Sequence, residues 1–366
     1  MKNTKKLKYY SLDNILSKDC QYNVIFGERS NGKTFACFDY ALKKYCNEGR
    51  QMALVRRWRD DFIGKRGATM FDAIVSEGLV SKYTNGEWDR IHYNSSRWYL
   101  AKFDDKLQKI ITKDEPFAYA FAISTMEHDK STSYPNIDTV VFDEFLTRDR
   151  YLPDEFVLFM NVLSTIIRQR IGIRIFMLGN TVNQYSPYFK EMGLSNIKQM
   201  KQGDIDVYMY GESGLKVAVE YADMPSKSKP SDIYFAFNNP KLNMIKGGSW
   251  EIDIYPHKPI SFEKNHIVFT YFILFEGETL QCEIVVKDGY YFTFIHQKTT
   301  PLKDVEHDII FSQEHSHRPN WRRKLSRPID EIGKTLYSFF TKEKVFYQDN
   351  EVGEIVRNYF EWCNRS

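Results

Sequence analysis

Residues 22–34 read YNVIFGERSNGKT, an apolar segment that runs directly into a glycine-bounded loop ending in lysine and threonine. Residues 27–34 match the phosphate-loop pattern GxxxxGK[ST] completely, and they lie between a predicted strand and a predicted helix, as that motif requires. Backbone N–H groups of such a loop and the helix N-terminus bind phosphate oxygens. The sequence therefore predicts a nucleotide-binding site formed by Gly27, Glu28, Arg29, Ser30, Asn31, Gly32, Lys33 and Thr34.

Two side chains of this motif and an acidic pair further along the chain are predicted to have separate roles. Lys33 is predicted to reach the β- and γ-phosphates of ATP, and Thr34 to bind Mg²⁺ through its hydroxyl. Asp143 and Glu144 follow the apolar residues 139–142. We expect Asp143 to hold the metal and its waters, and Glu144 to polarise the water that attacks the γ-phosphate. The alternative for the pair is a solvated strand end.

The next apolar strand is predicted over residues 173–180, with Asn180 at its C-terminal end. Because ligands of parallel sheets bind beyond the carboxyl ends of strands, Asn180 is expected to sense the γ-phosphate or position water; otherwise it is an ordinary turn residue. Arg168, Arg170 and Arg174 lie between the preceding helix and this strand. If one of these arginines reaches a neighbouring subunit, it would stabilise the charge of the transition state there. The alternative, which fits equally well, is a solvated cluster that interacts with the helix dipole.

Length and composition limit the class of protein. The 366 residues favour two domains, and 42% hydrophobic with 27% charged residues excludes disorder, collagen and coiled coil for the chain as a whole. A net charge of +3 creates no overall basic field, so local patches would have to hold any nucleic acid. Widely spaced cysteines, no signal peptide and no membrane-spanning run predict a soluble cytosolic protein with reduced thiols and no membrane partner.

Strand and helix patterns alternate over residues 21–180, which predicts βαβ units and a mainly parallel sheet. After residue 204 two strand patterns flank a Gly-Glu-Ser-Gly turn and predict a hairpin, and residues 225–230 (PSKSKP) predict a linker. We therefore expect an ATPase domain over 1–204, a linker region over 205–259 and a C-terminal domain over 260–366.

The C-terminal region begins with a meander of three strand patterns joined by short turns. A helix over about 321–340, a strand at 345–347 and a final helix over about 351–362 are expected to follow. This order is typical of an α+β ribonuclease-H-like domain. Its first strand, residues 266–275, lacks the acidic residue that a two-metal nuclease needs, so no nuclease activity is expected.

Two basic stretches are candidates for nucleic-acid contacts. Residues 315–324 read HSHRPNWRRK, and residues 56–59 read RRWR after the second predicted strand. The alternatives are a solvated helix start for the first stretch, and a subunit interface or solvated loop for the second. The candidate contacts are Arg56, Arg57, Arg318, Arg322, Arg323 and Lys324.

Several short motifs together resemble the genome-packaging ATPase of small, protein-primed tailed phages, the Picovirinae-type podoviruses. The likeness is strongest over about 20–195 and weaker, but in order, towards the C-terminus. The motifs are GER at 27–29, LVRR at 54–57, KSTSYPN at 130–136, RQR at 168–170 and LGN at 178–180.

This resemblance implies an α/β P-loop NTPase of the additional-strand, catalytic-glutamate, terminase-like class. It implies an ATPase ring, pentameric in the family, that uses ATP and Mg²⁺ to drive double-stranded DNA through the portal into a prohead, with a packaging RNA as a candidate further partner. It also implies a vestigial nuclease-like domain and action in the host cytoplasm at the portal vertex, without a place in the mature virion. Arg168 and Lys130 match the family's trans-acting arginine and lysine.

Two other hypotheses remain open at this point. A helicase-like ring translocase is disfavoured by the meander domain and by the absence of helicase-type motifs. A nucleotide-gated structural ring without catalysis predicts the loss of key residues, whereas Lys33, Asp143 and Glu144 are all present.

Overall fold

The computed structural model describes residues 10–128, 133–223 and 250–365. It divides into two compact units, Met1–Glu251 and Ile252–Ser366. The expected linker at 225–230 and Lys130 lie outside the described residues. All five cysteines are free thiols. Among the described residues no helix combines the length and the apolarity needed to cross a membrane.

The first unit is built on a ten-stranded, mainly parallel sheet. Its strands are β1 (Tyr22–Gly27), β2 (Gln51–Arg56), β3 (Arg90–Asn94), β4 (Arg97–Asp104), β5 (Lys109–Thr112), β6 (Ala118–Ala122), β7 (Ile137–Asp143), β8 (Arg174–Asn180), β9 (Ile205–Tyr210) and β10 (Leu215–Ala222). Its helices are α1 (Asp13–Leu16), α2 (Lys33–Glu48), α3 (Lys65–Ala68), α4 (Asp72–Ser76), α5 (Leu79–Tyr83), α6 (Glu155–Ile167) and α7 (Pro187–Glu191), with 3₁₀ turns at Arg59–Phe62, Ile123–His128 and Gly211–Ser213.

The strand order is β3-β4-β6-β2-β7-β8-β1-β10-β9, with β5 paired to β4. The strands from β6 to β10 in this order run parallel, and antiparallel strands close both edges. Strand β8 separates the phosphate-loop strand β1 from the acidic strand β7. These central strands are almost wholly buried because apolar clusters cover both faces of the sheet, which explains their unbroken apolar sequences.

The expected boundary at 204/205 is wrong. The hairpin predicted after residue 204 is present, but β10 pairs in parallel with β1 and so belongs to the first sheet. The physical reason is that β1 has backbone N–H and C=O groups on two edges that need hydrogen-bond partners, and β8 pairs with only one of these edges. The chain divides instead between Glu251 and Ile252.

The second unit contains a six-stranded sheet in the order β15-β14-β11-β12-β13-β16. The predicted meander, final strand and final helix are present. The elements are β11 (Ile267–Phe275), β12 (Glu278–Lys287), β13 (Tyr290–Gln297), β14 (Ile309–Ser312), β15 (Trp321–Arg322), β16 (Val345–Tyr347), α8 (Glu331–Thr341), α9 (Asn350–Arg365) and a 3₁₀ turn at Lys264–His266.

The helix expected from about residue 321 begins later than predicted. Trp321 and Arg322 form β15, which pairs with β14. Helix α8 begins at Glu331 because the Asp330 side chain accepts a hydrogen bond from the Gly333 amide and caps the first turn. The cap decides the start of the helix, and the preceding basic residues lie outside it.

Candidate nucleotide-binding site

The register of the parallel strands brings the predicted site residues to one edge of the sheet. Gly27 at the end of β1 is level with Asn180 at the end of β8, and Asp143 at the end of β7 is level with Leu178. Arg56 ends β2 at the same edge. Residues from four strands therefore meet where the strands end, as expected for a ligand site in a parallel sheet.

The phosphate loop is already shaped around its lysine. Gly32 has φ 98° and is the N-cap of α2, a conformation that glycine adopts readily. The ammonium group of Lys33 donates to the carbonyl of Glu28 at 2.7 Å and to Oδ1 of Asn31 at 3.2 Å. Asn31 is buried, and its Nδ2 has no hydrogen-bond partner among the described residues. The loop thus holds a buried cation and an unused amide donor, which suits an anionic ligand.

The two acidic residues occupy different environments. Asp143 is buried and accepts a hydrogen bond from the Thr34 hydroxyl at 3.0 Å. Glu144 has φ 62°, in the left-handed region, and its side chain is 60% exposed. Asp143 is therefore placed to hold a cation beside Thr34, and Glu144 to contact water.

Arg56 lies in this site, although no sequence motif predicted it there. Its guanidinium group pairs with Asp143 and, at 3.0 Å, with Oε2 of Glu144. Burial lowers the pKa of Arg56, but the two carboxylates more than compensate and raise it. In this structure the charge of Arg56 is directed at the acidic pair, and a contact between Arg56 and nucleic acid stays a prediction.

Arg57 is buried in the core of the first unit. It pairs with Glu155 at 2.7 Å and donates to the Phe145 carbonyl at 2.9 Å. Glu155 also accepts from the Tyr188 hydroxyl at 2.8 Å. This placement contradicts a contact between Arg57 and nucleic acid. The basic run at 56–59 did not indicate the pairing, because the partner Glu155 lies far along the chain on α6.

The site residues surround a cavity of about 510 Å³. Asn180, the last residue of β8, lines it. Apolar side chains of Phe35, Phe38 and Met70 also line it and offer a surface for a planar base, which no sequence motif indicated. The size and the mixed lining fit a nucleotide.

Arg29 links the phosphate loop to the end of the first unit. It lines the cavity and pairs at 3.2 Å with Glu251, the last residue of that unit. The Glu251 amide donates to the Thr181 carbonyl at 2.9 Å, directly after Asn180. Glu251 therefore contacts both the phosphate loop, through Arg29, and the residue that follows Asn180.

The three arginines from the end of α6 to the first residue of β8 have different surroundings. Arg170 fixes the approach to β7, because it donates to the carbonyls of residues 134, 135, 137 and 166. Arg174 pairs with Asp19 at 2.8 Å. Arg168 is exposed and is the C-cap of α6, with φ 40°. It precedes β8 and therefore lies towards the amino edge of the sheet, away from the cavity.

The basic residues of the second unit are spread over several environments. Arg318 is exposed, and Lys324 is partly exposed. Arg322 pairs at 2.6 Å with the carboxylate that caps α8. Arg323 is exposed and lies over the Trp362 ring. The ion pair with Asp330 makes Arg322 less available for a phosphate contact.

Comparison with known proteins gives related sequences. The DNA packaging proteins of Bacillus phage PZA and Bacillus phage phi29 are each 28% identical over 187 residues, which is 50% of this chain and 50% of the relative. The chain thus spans about half the length of the curated relatives it matches.

Solved structures share the fold over nearly the whole chain. The bacteriophage phi29 viral genome packaging motor assembly matches with a TM-score of 0.58 and 18% identity, covering 98% of both chains. A second structure, the phi28 gp11 DNA packaging motor, matches with a TM-score of 0.54 and 18% identity, covering 98% of this chain and 99% of the other.

A protein-family model described as podovirus DNA encapsidation protein (Gp16) matches residues 4–208. The match includes the phosphate loop, the acidic pair and strand β8, and it extends over more than half of the chain. On this evidence the chain belongs to the podovirus DNA encapsidation protein (Gp16) family.

Proposed function

We propose that this chain is the ATP-hydrolysing motor that moves double-stranded viral DNA into a prohead. The observation that carries the proposal is the convergence of the phosphate loop, the Thr34–Asp143 hydrogen bond and the exposed Glu144 on one cavity. Family membership supports DNA as the track. A motor needs catalytic turnover, and the residues that would bind ATP, hold Mg²⁺ and activate water meet at this edge of the sheet.

The residues fit ATP and Mg²⁺. Lys33 and the unpartnered Nδ2 of Asn31 would contact phosphate oxygens. Thr34 and Asp143 supply hydroxyl and carboxylate oxygens, the ligands that Mg²⁺ prefers. The metal would neutralise phosphate charge when bound. Asn180 lines the same cavity and would contact the terminal phosphate or the attacking water.

Glu144 would orient the attacking water and accept its proton, because its carboxylate is exposed beside the cavity. Arg56 neutralises this carboxylate and Asp143 together in the present structure. For Asp143 to hold a cation, the Arg56 guanidinium group has to withdraw. The nucleotide-bound and nucleotide-free states would thus differ in the partners of Arg56.

A neighbouring subunit would complete the site through Arg168. Strand β8 runs from Arg174 to Asn180, and at about 3.3 Å per residue its ends are roughly 20 Å apart. Arg168 lies before the first of these ends, so its side chain is too short to reach the cavity of its own chain. A closed ring, pentameric in our proposal, would bring Arg168 and Lys130 to the adjacent nucleotide.

We assign the second unit a ribonuclease-H-like fold without nuclease activity. Three antiparallel strands with β14 parallel to β11 support the assignment. Neither β11 nor β14 carries a carboxylate, and the described part of the chain contains no cluster of three or more histidine, cysteine, aspartate or glutamate residues that could hold a metal ion. We propose that this unit docks on the portal, or on a packaging RNA, in the host cytoplasm during assembly and outside the mature virion.

Glu144→Gln tests the enzyme assignment. The amide keeps the size of the side chain but removes the charge that polarises water, so Mg-ATP should still bind while turnover falls by about two orders of magnitude or more. Binding of a fluorescent nucleotide and release of phosphate measure the two effects. Glu212→Gln, in an exposed hairpin turn, is the matched control.

Near-normal turnover in Glu144→Gln would contradict the role of Glu144. If the unaltered chain binds nucleotide but does not hydrolyse it, with or without DNA, the chain is a nucleotide-gated structural ring and the motor assignment is wrong.

A further inference from the structure

A second cavity of the first unit, about 550 Å³ in volume, is separate from the nucleotide cavity and shares no lining residue with it. It lies between the 3₁₀ turn Arg59–Phe62, the turn that joins β3 to β4, and strand β6. Strand β4 pairs with β6 at Arg97–Tyr119 and Trp98–Ala118. The later part of β6 therefore has no strand beside it on the edge that faces β4. The cavity occupies that uncovered side.

The charged side chains that line this cavity are positive. Arg59 and Arg97 line it, and among the described residues no aspartate or glutamate does. Both arginines are exposed, and neither pairs with a carboxylate of the described residues. A hydrogen bond to the Tyr99 side chain raises the pKa of Arg97. An anion that enters would meet two guanidinium groups that have no competing ion pair.

Aromatic rings and hydroxyl groups complete the lining. The Arg97 guanidinium group lies 5.8 Å from the centre of the Tyr119 ring, and that ring lies 5.1 Å from the ring of Tyr134. Ser95 and Ser96 form the β3–β4 turn with φ values of 51° and 61°. Both serines line the cavity, and the Ser95 hydroxyl donates to Oδ1 of Asn94 at 2.9 Å.

Arginine, tyrosine and hydroxyl side chains are the groups that proteins use to hold the sugar-phosphate backbone of nucleic acids. The volume is that of a small-ligand site, so the cavity accommodates a short backbone segment of one strand and not a whole duplex. Arg56 and Arg57 pair with carboxylates inside the first unit. Arg59, in the same basic run, does face a cavity of suitable chemistry.

We propose that this cavity binds a phosphodiester segment of the DNA duplex that the motor moves, with Arg59 and Arg97 as the phosphate ligands. The inference rests on the proposed function, because the track is the DNA assigned there. A packaging RNA offers the same phosphodiester chemistry, so the experiment includes both nucleic acids.

The test compares the full chain with the double variant Arg59→Gln, Arg97→Gln. Binding to a fluorescent DNA duplex and to an RNA duplex is measured across a salt series. Loss of two phosphate contacts should flatten the log–log salt dependence by up to about 1.8 for the DNA duplex. Lys106→Gln, Lys109→Gln, which removes the same charge from exposed positions around the β4–β5 turn, should leave the slope unchanged. Arg59→Lys, Arg97→Lys should restore most of the slope.

The outcomes separate this inference from the motor assignment. A larger loss on DNA than on RNA supports the site as proposed, and a larger loss on RNA overturns DNA as its ligand. An unchanged slope on both duplexes in the Gln variant, with ATP turnover intact, overturns the phosphate site but not the enzyme. An unchanged slope with weaker association between copies of the chain, measured by sedimentation, would make the cavity a subunit contact and would also overturn it. Absence of ATP turnover in the unaltered chain would instead refute the proposed function.

Discussion

At the scale of single residues, Asp143 and Glu144 show how adjacent carboxylates acquire different chemistry. Asp143 is buried between Thr34 and Arg56, whereas the Glu144 side chain is largely exposed. The order of the pair after an apolar strand predicts this division, because the last residue of a buried strand stays inside while the next one turns outward. Arg56 could not be predicted in the same way, since its partners lie on another strand.

Arg57 is the clearest residue-scale test of the structure. Arg57→Gln leaves Glu155 buried beside the Tyr188 hydroxyl without its cation, and removing one member of a buried pair costs about 3 to 5 kcal/mol. We therefore expect a marked fall in the free energy of unfolding of the first unit, measured by chemical denaturation. Arg66→Gln, exposed on α3, is the control and should change it by less than about 0.5 kcal/mol. A small change in the free energy of unfolding together with a large loss of DNA affinity would show that Arg57 contacts nucleic acid.

At the scale of helices and strands, the central parallel strands were predictable, whereas strands β3 to β5 and the attachment of the β9–β10 hairpin to the sheet were not. Strands β1, β2, β7 and β8 are buried on both faces, so each has a continuous apolar run. Strands β3 to β5 are partly exposed, and their first turn is Ser95-Ser96, without the glycine that marks a hairpin in sequence. The pairing of β10 with β1 could not be predicted either, because a hairpin pattern in the sequence indicates that β9 and β10 pair with each other but not which sheet the hairpin joins.

The strands of the second unit predict that it does not cleave nucleic acid. β11 and β14 lie side by side and parallel, the arrangement in which a two-metal nuclease would place its carboxylates, but neither strand carries one. We expect the full chain to leave supercoiled plasmid intact in Mg²⁺ or Mn²⁺, as judged by gel electrophoresis over hours. Cleavage that follows the protein through purification and depends on the metal would refute the assignment of an inactive nuclease-like domain.

At the scale of the whole molecule, the proposed mechanism requires subunits to share active sites. Arg168→Ala rings should be inactive although each subunit binds ATP, because Arg168 lies away from its own cavity. Adding Lys33→Ala subunits should restore part of the phosphate release, since mixed rings contain junctions with an intact loop facing an intact arginine. If mixed rings form and no ratio of the two variants restores hydrolysis, Arg168 does not act in trans.

The central claim is that ATP hydrolysis by this chain moves DNA into a prohead, and packaging measured directly tests it. Cognate proheads, purified chain, double-stranded DNA and Mg-ATP are combined, and the DNA that becomes resistant to added nuclease is quantified. We predict full-length protected DNA with the unaltered chain, and none with Glu144→Gln or with a non-hydrolysable ATP analogue. Protection that does not depend on hydrolysis, or active ATP turnover without any protected DNA in the presence of functional proheads, would contradict this claim.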